Sequence, residues 1–231
     1  WMLIHTECKP AAERNRYPPA PCAEVDATDH GVAAGYAVLK DRTGRYQYLV
    51  LPLARIAGIE SPALRAPGAP NYFAAAWTAR LYVEAALHGT QPRDVLSLVV
   101  NSAPSRSQDQ LHIHVHCIRA DVHAALQRLL PMITGQWRPL GVTLPPHQHV
   151  YQAMWTDGET LAINPFASLA DALPAGDPMA QHSLIVVGAY SPEGKPGFIL
   201  LSGRVDPAHH DRASGDELQD LDCAIATHPT R

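Results

Sequence analysis

Apolar and polar residues alternate along the chain in segments that predict a mixture of strands and helices. Residues 34–52, AGYAVLKDRTGRYQYLVLP, contain two apolar runs around DRTG, which is the pattern of a β-hairpin that turns at 41–44. From Asn71 the apolar residues recur at helical spacing, which predicts a helix capped by Asn71 and ended by Gly89. The strand DVLSLVVN, a polar loop, the strand LHIHVHCI and a helix at 120–132 follow. This order is typical of the α+β class.

Beyond residue 135 the patterns are weaker. HQHVYQAMWTDGETLAI predicts a hairpin that turns at Asp157 and Gly158, and NPFASLADAL predicts a short capped helix. HSLIVVGAYSPEGKPGFILLSG predicts another hairpin. The C-terminal stretch ASGDELQDLDCAIATH predicts a helix capped by Ser214.

The length of 231 residues suits one good hydrophobic core. We therefore predict a single domain over 1–231, with its core at 25–135 and a C-terminal extension at 136–231. The extension faintly repeats the hairpin, helix and strand of the first half, as a degenerate second half would.

Charge and hydropathy narrow the function classes. The formal net charge is -4 and the basic residues are scattered, which argues against nucleic acid as a partner. No apolar run approaches the roughly 18 to 20 residues of a membrane-spanning helix. The chain begins at Trp1 rather than at an initiator methionine, so removal of an N-terminal signal or anchor is an open alternative.

Four cysteines permit three disulfide pairings. Cys8 and Cys22 bracket the polar, proline-rich KPAAERNRYPPAP, which a crosslink would order. Cys117 and Cys223 then remain for each other. Four unpaired thiols in a cytosolic protein are the alternative.

QLHIHVHCI places His112, His114 and His116 on alternate positions of a strand. Residues two apart point to the same side at a spacing of about 6.6 Å, so the three imidazoles share one face. The aliphatic residues between them and Cys117 form the opposite, buried face. Three titratable groups are a poor choice for a purely structural strand, which favours a chemical role.

Metal binding is one such role, because neutral imidazole is a ligand for zinc, copper and iron. HQH at His147 and His149 offers a second pair of ligands. However, the nearest carboxylates, Asp109 and Asp121, lie at opposite ends of the histidine strand, and no third-ligand motif stands nearby.

Nucleophilic attack on phosphorus is the other role. A neutral imidazole can attack a phosphoryl centre and form a covalent intermediate that water later cleaves. The loop before the strand is rich in hydrogen-bond donors for a phosphate. Arg106 is the only formal charge in that loop able to oppose an anionic diphosphate. The donors are Asn101, Ser105, Arg106, Ser107 and Gln108.

HIHVHCI resembles the His-φ-His-φ-His-φ-φ signature of the histidine triad (HIT) superfamily of nucleotidyl hydrolases and transferases. SLVVN ending at Asn101, Gln108 before the strand, and YLVLP upstream are similar to that family's surroundings of the motif, over about residues 33–119. The resemblance implies a HIT-like antiparallel sheet with packing helices, here extended by a second α/β half.

One branch of that superfamily is closer. QYLVLP, ESPAL, SRSQDQLHIHVHCIRADV and ASGDELQD, together with the cysteine positions, resemble the bacterial CDP-diacylglycerol pyrophosphatases. That resemblance implies hydrolysis of CDP-diacylglycerol, a lipid nucleotide of the inner membrane, to CMP and phosphatidate. It also implies an enzyme on the periplasmic face of the bacterial inner membrane, held by an anchor that is absent from this chain.

By the same resemblance, His114 is the nucleophile that takes the cytidylyl group. His112 and His116 orient it and hold the α-phosphate, while Asn101 and Gln108 contact phosphate or ribose.

The wider family often has a further histidine where this chain has Gln47. No cofactor or metal is expected. A homodimer is an expectation that the second half could either support or replace. A metal-dependent enzyme with three histidines and a non-catalytic nucleotide-binding protein remain the alternatives.

Overall fold

The computed structural model describes residues 2–27 and 34–227. Its strands are β1 (Cys22–Asp26), β2 (Tyr36–Lys40), β3 (Tyr48–Pro52), β4 (Leu96–Val100), β5 (Ile113–Cys117), β6 (Arg138–Leu144), β7 (His149–Asp157), β8 (Leu184–Tyr190) and β9 (Pro196–Gly203). Its α-helices are α1 (Lys9–Glu13), α2 (Tyr72–Ala86), α3 (Ala120–Leu129), α4 (Pro165–Ala172) and α5 (Ala224–Thr227). The mixture of sheet and helix agrees with the predicted α+β class.

All nine strands form one antiparallel sheet in the order β1-β2-β3-β5-β4-β8-β9-β7-β6. The order β2-β3-β5-β4 recurs as β6-β7-β9-β8, and each set is built from a hairpin, a helix and two further strands. β4 and β8 pair at the junction, where Leu98 lies opposite Val186. The strands of 136–231 therefore continue the sheet of the first half.

Helices cover both faces of the sheet. On one face α2 packs against α4, where the rings of Phe73 and Phe166 lie 5.0 Å apart. It also packs on β9, where the rings of Trp77 and Phe198 lie 5.0 Å apart. On the other face two separate apolar clusters form. One includes Val122 of α3, and the other includes residues of the N-terminal segment.

His114 lies between those two clusters. Its cross-strand partners are Leu49 in β3 and Val99 in β4, and directly opposed residues share a face of the sheet. Leu49 belongs to the N-terminal cluster, whereas Val99 belongs to the cluster under α3. The histidine therefore occupies the seam between two covering layers, where a cavity can open.

Most of the predicted elements of the first half are confirmed. The hairpin of β2 and β3 and the strands β4 and β5 lie where the pattern placed them. Asn71 caps α2 by accepting a hydrogen bond from the Ala74 N–H at 3.1 Å. The helix ends at Ala86, three residues before the predicted Gly89.

The hairpin predicted at Asp157 and Gly158 is wrong. β7 ends at Asp157, and its partners are β6 and β9. Pro139 and Gly141 interrupt the strand pattern of β6, which hid the true partner. The hairpin of β8 and β9 and the α4 cap at Asn164 are confirmed.

The C-terminal stretch does not form the one helix that was predicted. It contains a 3₁₀ turn at Gly215–Leu218 and the short helix α5. Ser214 makes no side-chain cap bond to the backbone. The segment is instead held to the sheet by a bridge between Ile118 and Gln219 and by Cys223, and these tertiary contacts override helix propensity.

Both predicted disulfides are confirmed. Cys8 is bonded to Cys22, and Cys117 is bonded to Cys223, so all four cysteines are paired. Among residues 2–27 and 34–227, no helix has the length and apolar content needed to cross a membrane.

Candidate active site

A polar cavity opens beside β5. Its volume is about 700 Å³. His112, His114 and Gln108 of the predicted site line it, whereas Asn101, Arg106 and His116 do not. The other lining residues are Asp41, Arg42, Thr43, Gln47, Leu49, Ser107, Asp216, Gln219 and Leu221. The cavity is thus formed by β5, the β2–β3 turn, the loop before β5 and the C-terminal segment.

β5 fixes the imidazoles by burying its other face. Ile113 and Val115 are fully buried in the core under α2, so the alternate residues must point the other way. The cavity wall opposite is the β2–β3 turn, which Asp41 stabilises by accepting a hydrogen bond from the Thr43 N–H at 3.1 Å. Lys40 Nζ also donates to carbonyl oxygens of this turn.

The Gln47 side chain determines the tautomer of His114. In the amide orientation that satisfies its neighbours, its Nε2 donates to Asp41 Oδ2 and to the Thr43 carbonyl, each at 3.1 Å. Its Oε1 then accepts a hydrogen bond from His114 Nδ1–H at 2.7 Å. A neutral His114 therefore carries its proton on Nδ1 and its lone pair on Nε2. Among the described residues this Nε2 has no hydrogen-bond partner.

The surroundings of His114 keep it uncharged. Burial is the largest influence and the neighbouring His112 the second, and together they lower the pKa of His114 to about 4 although the Asp216 and Asp41 carboxylates oppose the shift. At neutral pH the ring is therefore a neutral imidazole. A neutral imidazole with an unpartnered Nε2 is the form that can attack an electrophile.

His112 and His116 have different environments. His112 Nδ1–H donates to the Gln110 carbonyl at 2.7 Å, so Nε2 is its remaining ring nitrogen for a ligand in the cavity. His116 is fully buried, and its Nδ1 accepts a hydrogen bond from the Cys117 N–H at 2.8 Å. Burial lowers the pKa of His116 to about 4, so it too is neutral. The structure does not bring His116 to the cavity.

Asn101 and Arg106 lie behind the cavity, in a small cleft next to His112. Asn101 Oδ1 accepts a hydrogen bond from the Asp216 N–H at 3.3 Å, which ties the loop before β5 to the C-terminal segment. Arg106 donates to both oxygens of Glu60, at 2.6 and 2.7 Å, and to Asp109 at 2.8 Å. Its charge is therefore matched by two carboxylates.

We expect Arg106→Gln to lower the stability of the loop before β5 and to leave substrate binding unchanged. The variant and Glu60→Gln should each lower the free energy of unfolding by about 1 kcal/mol, because each breaks the same partly exposed ion pair. The double variant should be no less stable than Arg106→Gln alone, since the contact with Glu60 is already lost in that single variant. Urea unfolding measures the stabilities. A large increase in KM for Arg106→Gln alone would instead place Arg106 on the substrate.

Sequence reasoning missed most of the cavity wall. Asp41 looked fully explained as a turn residue, and Arg42 and Thr43 beside it carried no signal of their own. Asp216 and Gln219 were hidden in a stretch that resembled a helix. The available signal was the pairing of Cys117 with Cys223, which tethers that stretch to β5.

The side-chain geometry does not favour the metal alternative. In the described part of the chain, one group of three His, Cys, Asp or Glu residues has ligand atoms within 4.8 Å of one another, namely His116, Cys117 and Cys223. Its two sulfurs are joined in a disulfide and are not thiolates. His149 of the HQH pair is bonded through Nδ1 to Glu217 at 2.8 Å.

The nine-stranded sheet and its cavity define the class of the protein: an α+β enzyme with a histidine-lined site. A model of the CDP-diacylglycerol pyrophosphatase family matches residues 1–227. A CDP-diacylglycerol pyrophosphatase of Yersinia pestis is 40% identical over 230 residues, which cover 99% of this chain and 84% of the relative. The chain belongs to the CDP-diacylglycerol pyrophosphatase family. It is a hydrolase, and its substrate is CDP-diacylglycerol.

Proposed function

We propose that the protein cleaves CDP-diacylglycerol to CMP and phosphatidate through a covalent cytidylyl-histidine intermediate on His114. The observation that carries the proposal is the unpartnered Nε2 of His114, on a neutral ring whose Nδ1 proton is held by Gln47. The lone pair on that nitrogen is available to form a bond, because the other ring nitrogen carries the proton.

In the first step His114 Nε2 attacks the phosphorus of the CMP group. The new N–P bond forms as the bond from phosphorus to the bridging oxygen breaks, and phosphatidate leaves with that oxygen and its electron pair. The phosphate leaving group is a weak base, which lessens the need for a general acid. The ring is left with phosphorus on Nε2 and a proton on Nδ1, and so is positively charged.

In the second step water attacks the same phosphorus. A new O–P bond forms as the N–P bond breaks, the electron pair of the N–P bond returns to Nε2, and one proton of the water is released to solvent. CMP leaves, and the neutral imidazole with its proton on Nδ1 is restored. His112, 5.0 Å from His114 between ring centroids, is placed to hold the α-phosphate through Nε2. Arg42 and Gln108 on the cavity wall supply further donors for the phosphate oxygens.

The fold relationship belongs to the same proposal. We infer that β2–β5 with α2 is a HIT-like unit, the predicted core at 25–135, and that 136–231 is a second such unit that has lost its chemistry. The repeated strand order supports this division. β9, in the position of β5, reads PGFILLSG and has no histidine. The second unit then occupies, within one chain, the place that a partner would take in a homodimer.

The location is also proposed. Two buried disulfides are typical of proteins that fold in an oxidising compartment, which favours the periplasm over the cytosol. The diacylglycerol part of the substrate places the reaction at a membrane surface. We propose the periplasmic face of the inner membrane.

Trapping the intermediate tests the mechanism. The protein is incubated with CDP-diacylglycerol labelled in the CMP phosphate and is quenched within the first turnover. We expect a label on the protein that is stable in base, labile in acid, insensitive to EDTA and located on His114 by mass spectrometry. Rapid turnover with no labelled protein at any quench time would favour direct attack by water, and activity lost in EDTA would favour a metal.

The pH dependence follows from the lowered pKa of His114. We expect kcat/KM to be insensitive to this group from pH 8 down to about 5, and to fall tenfold per pH unit below about 4, as the nucleophile becomes protonated. In the unfolded chain His114 and His116 have the ordinary histidine pKa near 6.5, so the unfolded state takes up protons at a higher pH than the folded state does. The contribution of these two groups to the free energy of unfolding is therefore fully present above pH 6.5 and is lost as the pH falls from about 6.5 to 4.

Rates and circular dichroism at each pH separate the two effects. An acid limb near pH 6.5 in a fully folded protein would contradict a buried, neutral nucleophile.

A further inference from the structure

We infer that Gln47 is a positioning residue for the reaction. It holds His114 in the tautomer that presents the Nε2 lone pair, and its amide nitrogen hydrogen-bonds to residues of the cavity wall. The inference rests on the proposed function, since it takes His114 as the attacking group. Gln47 stands where the resemblance to triad proteins leads one to expect a histidine.

The neighbours of Gln47 determine which way its carboxamide oxygen and nitrogen point. The side chain is buried, with 4% of its surface exposed. Asp41 Oδ2 and the Thr43 carbonyl are both acceptors, so the amide nitrogen must face them. The amide oxygen must then face His114, and only a protonated Nδ1 can donate to it. In the opposite orientation the amide oxygen would face the oxygens of Asp41 and Thr43, and the amide N–H would face the Nδ1–H of His114.

The choice of tautomer decides whether the ring can react. A neutral imidazole has one lone pair in the ring plane, and a proton on Nε2 would block the attack on phosphorus. The contact also strengthens as the reaction proceeds, because His114 becomes positively charged when Nε2 bonds to phosphorus. The Gln47 oxygen is then a hydrogen-bond acceptor for a cation, which favours the transition state over the ground state.

A carboxamide suits this position because it does not titrate. A carboxylate would also accept from Nδ1–H, but its negative charge would stabilise the imidazolium and raise the pKa of His114. A histidine could donate or accept, and so would not impose one tautomer. Gln47 orients the ring without adding charge, which is compatible with a nucleophile that stays neutral.

Gln47 also joins the nucleophile to the β2–β3 turn. Its amide nitrogen binds two residues of that turn, both of which line the cavity. Gly44 in the same turn has φ +77, and a Cβ there would lie 3.2 Å from Gln47 Cβ and from the amide nitrogen that faces the turn. The turn is therefore packed directly against Gln47. A change at Gln47 acts on the ring and on this wall together.

Two substitutions separate orientation from simple packing. Gln47→Leu keeps the approximate volume and removes the acceptor, and we expect kcat to fall by about 10 to 100-fold, as for other residues that orient a reacting imidazole. The effect on kcat should exceed the effect on KM, because the lost acceptor contacts His114 and the substrate meets only the wall of which Gln47 is part. Gln47→Glu keeps an acceptor for Nδ1–H but places a carboxylate oxygen against Asp41 Oδ2 and the Thr43 carbonyl. We therefore expect kcat above that of Gln47→Leu but below that of the unaltered protein, and the acid limb of the pH profile should move to higher pH.

Gln127→Leu on α3 is the matched control. Its side chain is exposed and contacts Asp94 and His123, away from the cavity, so the same chemical change should leave kcat unaltered. Circular dichroism and thermal unfolding establish that each variant is folded. If Gln47→Leu does not fold, the rate and pH profile of Gln47→Glu decide the question.

Nitrogen-15 NMR of the ring gives a readout that is independent of turnover. In the unaltered protein His114 should carry its proton on Nδ1, and in Gln47→Leu a substantial fraction should move to Nε2. An unaltered tautomer in folded Gln47→Leu, an unaltered kcat in that variant, or an Nε2 proton in the unaltered protein would overturn the inference. Failure to find the label on His114 would instead overturn the proposed function, whatever the tautomer.

Discussion

Replacing His114 with alanine is expected to lower kcat by a factor on the order of 10⁴ or more, because the proposed covalent route would lose its nucleophile. The variant should also lose all labelling by CDP-diacylglycerol that carries label in the CMP phosphate. Its fold should survive, since the ring makes one side-chain hydrogen bond and sits at the seam between two apolar clusters rather than inside either. Release of CMP under substrate excess measures the rate, and circular dichroism checks the fold.

His123→Ala is the control for this experiment. His123 lies on α3 and contacts Asp94 at 2.9 Å. The substitution therefore removes the same side chain at a position away from the cavity. We expect its kcat to equal that of the unaltered protein. A His114→Ala enzyme that retains more than a tenth of its kcat, or still becomes labelled, would show that another group attacks phosphorus.

The histidine pattern of the candidate site was predictable because it is local. Alternation on a strand predicts that His112, His114 and His116 share one face. In the structure β5 begins at Ile113, directly after His112, and the rings of His112 and His114 lie 5.0 Å apart. Alternation cannot predict which of them reach solvent. His116 is closed off by the C-terminal segment, whose Cys223 Sγ lies 3.6 Å from its Nδ1. That contact joins residues 107 positions apart and has no local signature.

The remaining differences also arise from distant contacts. Arg106 was predicted as the phosphate ligand of its loop, but its guanidinium forms an ion pair with Glu60, which lies 46 residues earlier in the chain. Gly58 leaves the space for that pairing, since a Cβ there would lie 2.2 Å from Arg106 Nη1. The hairpin at Asp157 failed for a partly local reason: β7 pairs with the preceding β6, whose strand pattern Pro139 and Gly141 interrupt, and with the distant β9. Helices with caps at Asn71 and Asn164 were predictable because a cap is a contact within one turn.

Removing the Cys117–Cys223 disulfide should have the largest effect on stability. The two residues are 106 positions apart, and closing a loop of that length restricts the unfolded chain by about 4.7 kcal/mol in the chain-entropy description. We expect Cys117→Ala/Cys223→Ala to lose about 4 to 5 kcal/mol of unfolding free energy. That loss is a large share of the roughly 5–15 kcal/mol available to a typical domain. Urea unfolding under non-reducing conditions measures it.

The same variant should lose activity beyond its loss of stability. Cys223 follows directly on the segment that brings Asp216, Gln219 and Leu221 to the cavity, and Gln219 Nε2 donates to the His114 carbonyl at 3.4 Å. Releasing the tether lets this wall move away from His114.

Cys8→Ala/Cys22→Ala is the matched control, because it opens a bridge of separation 14 and should cost about 3 kcal/mol. Where both variants remain folded, the control should retain kcat and the first should not. Equal activities in the two folded variants would show that the C-terminal wall stays in place without its disulfide, held by its hydrogen bonds to the sheet and to the loop before β5.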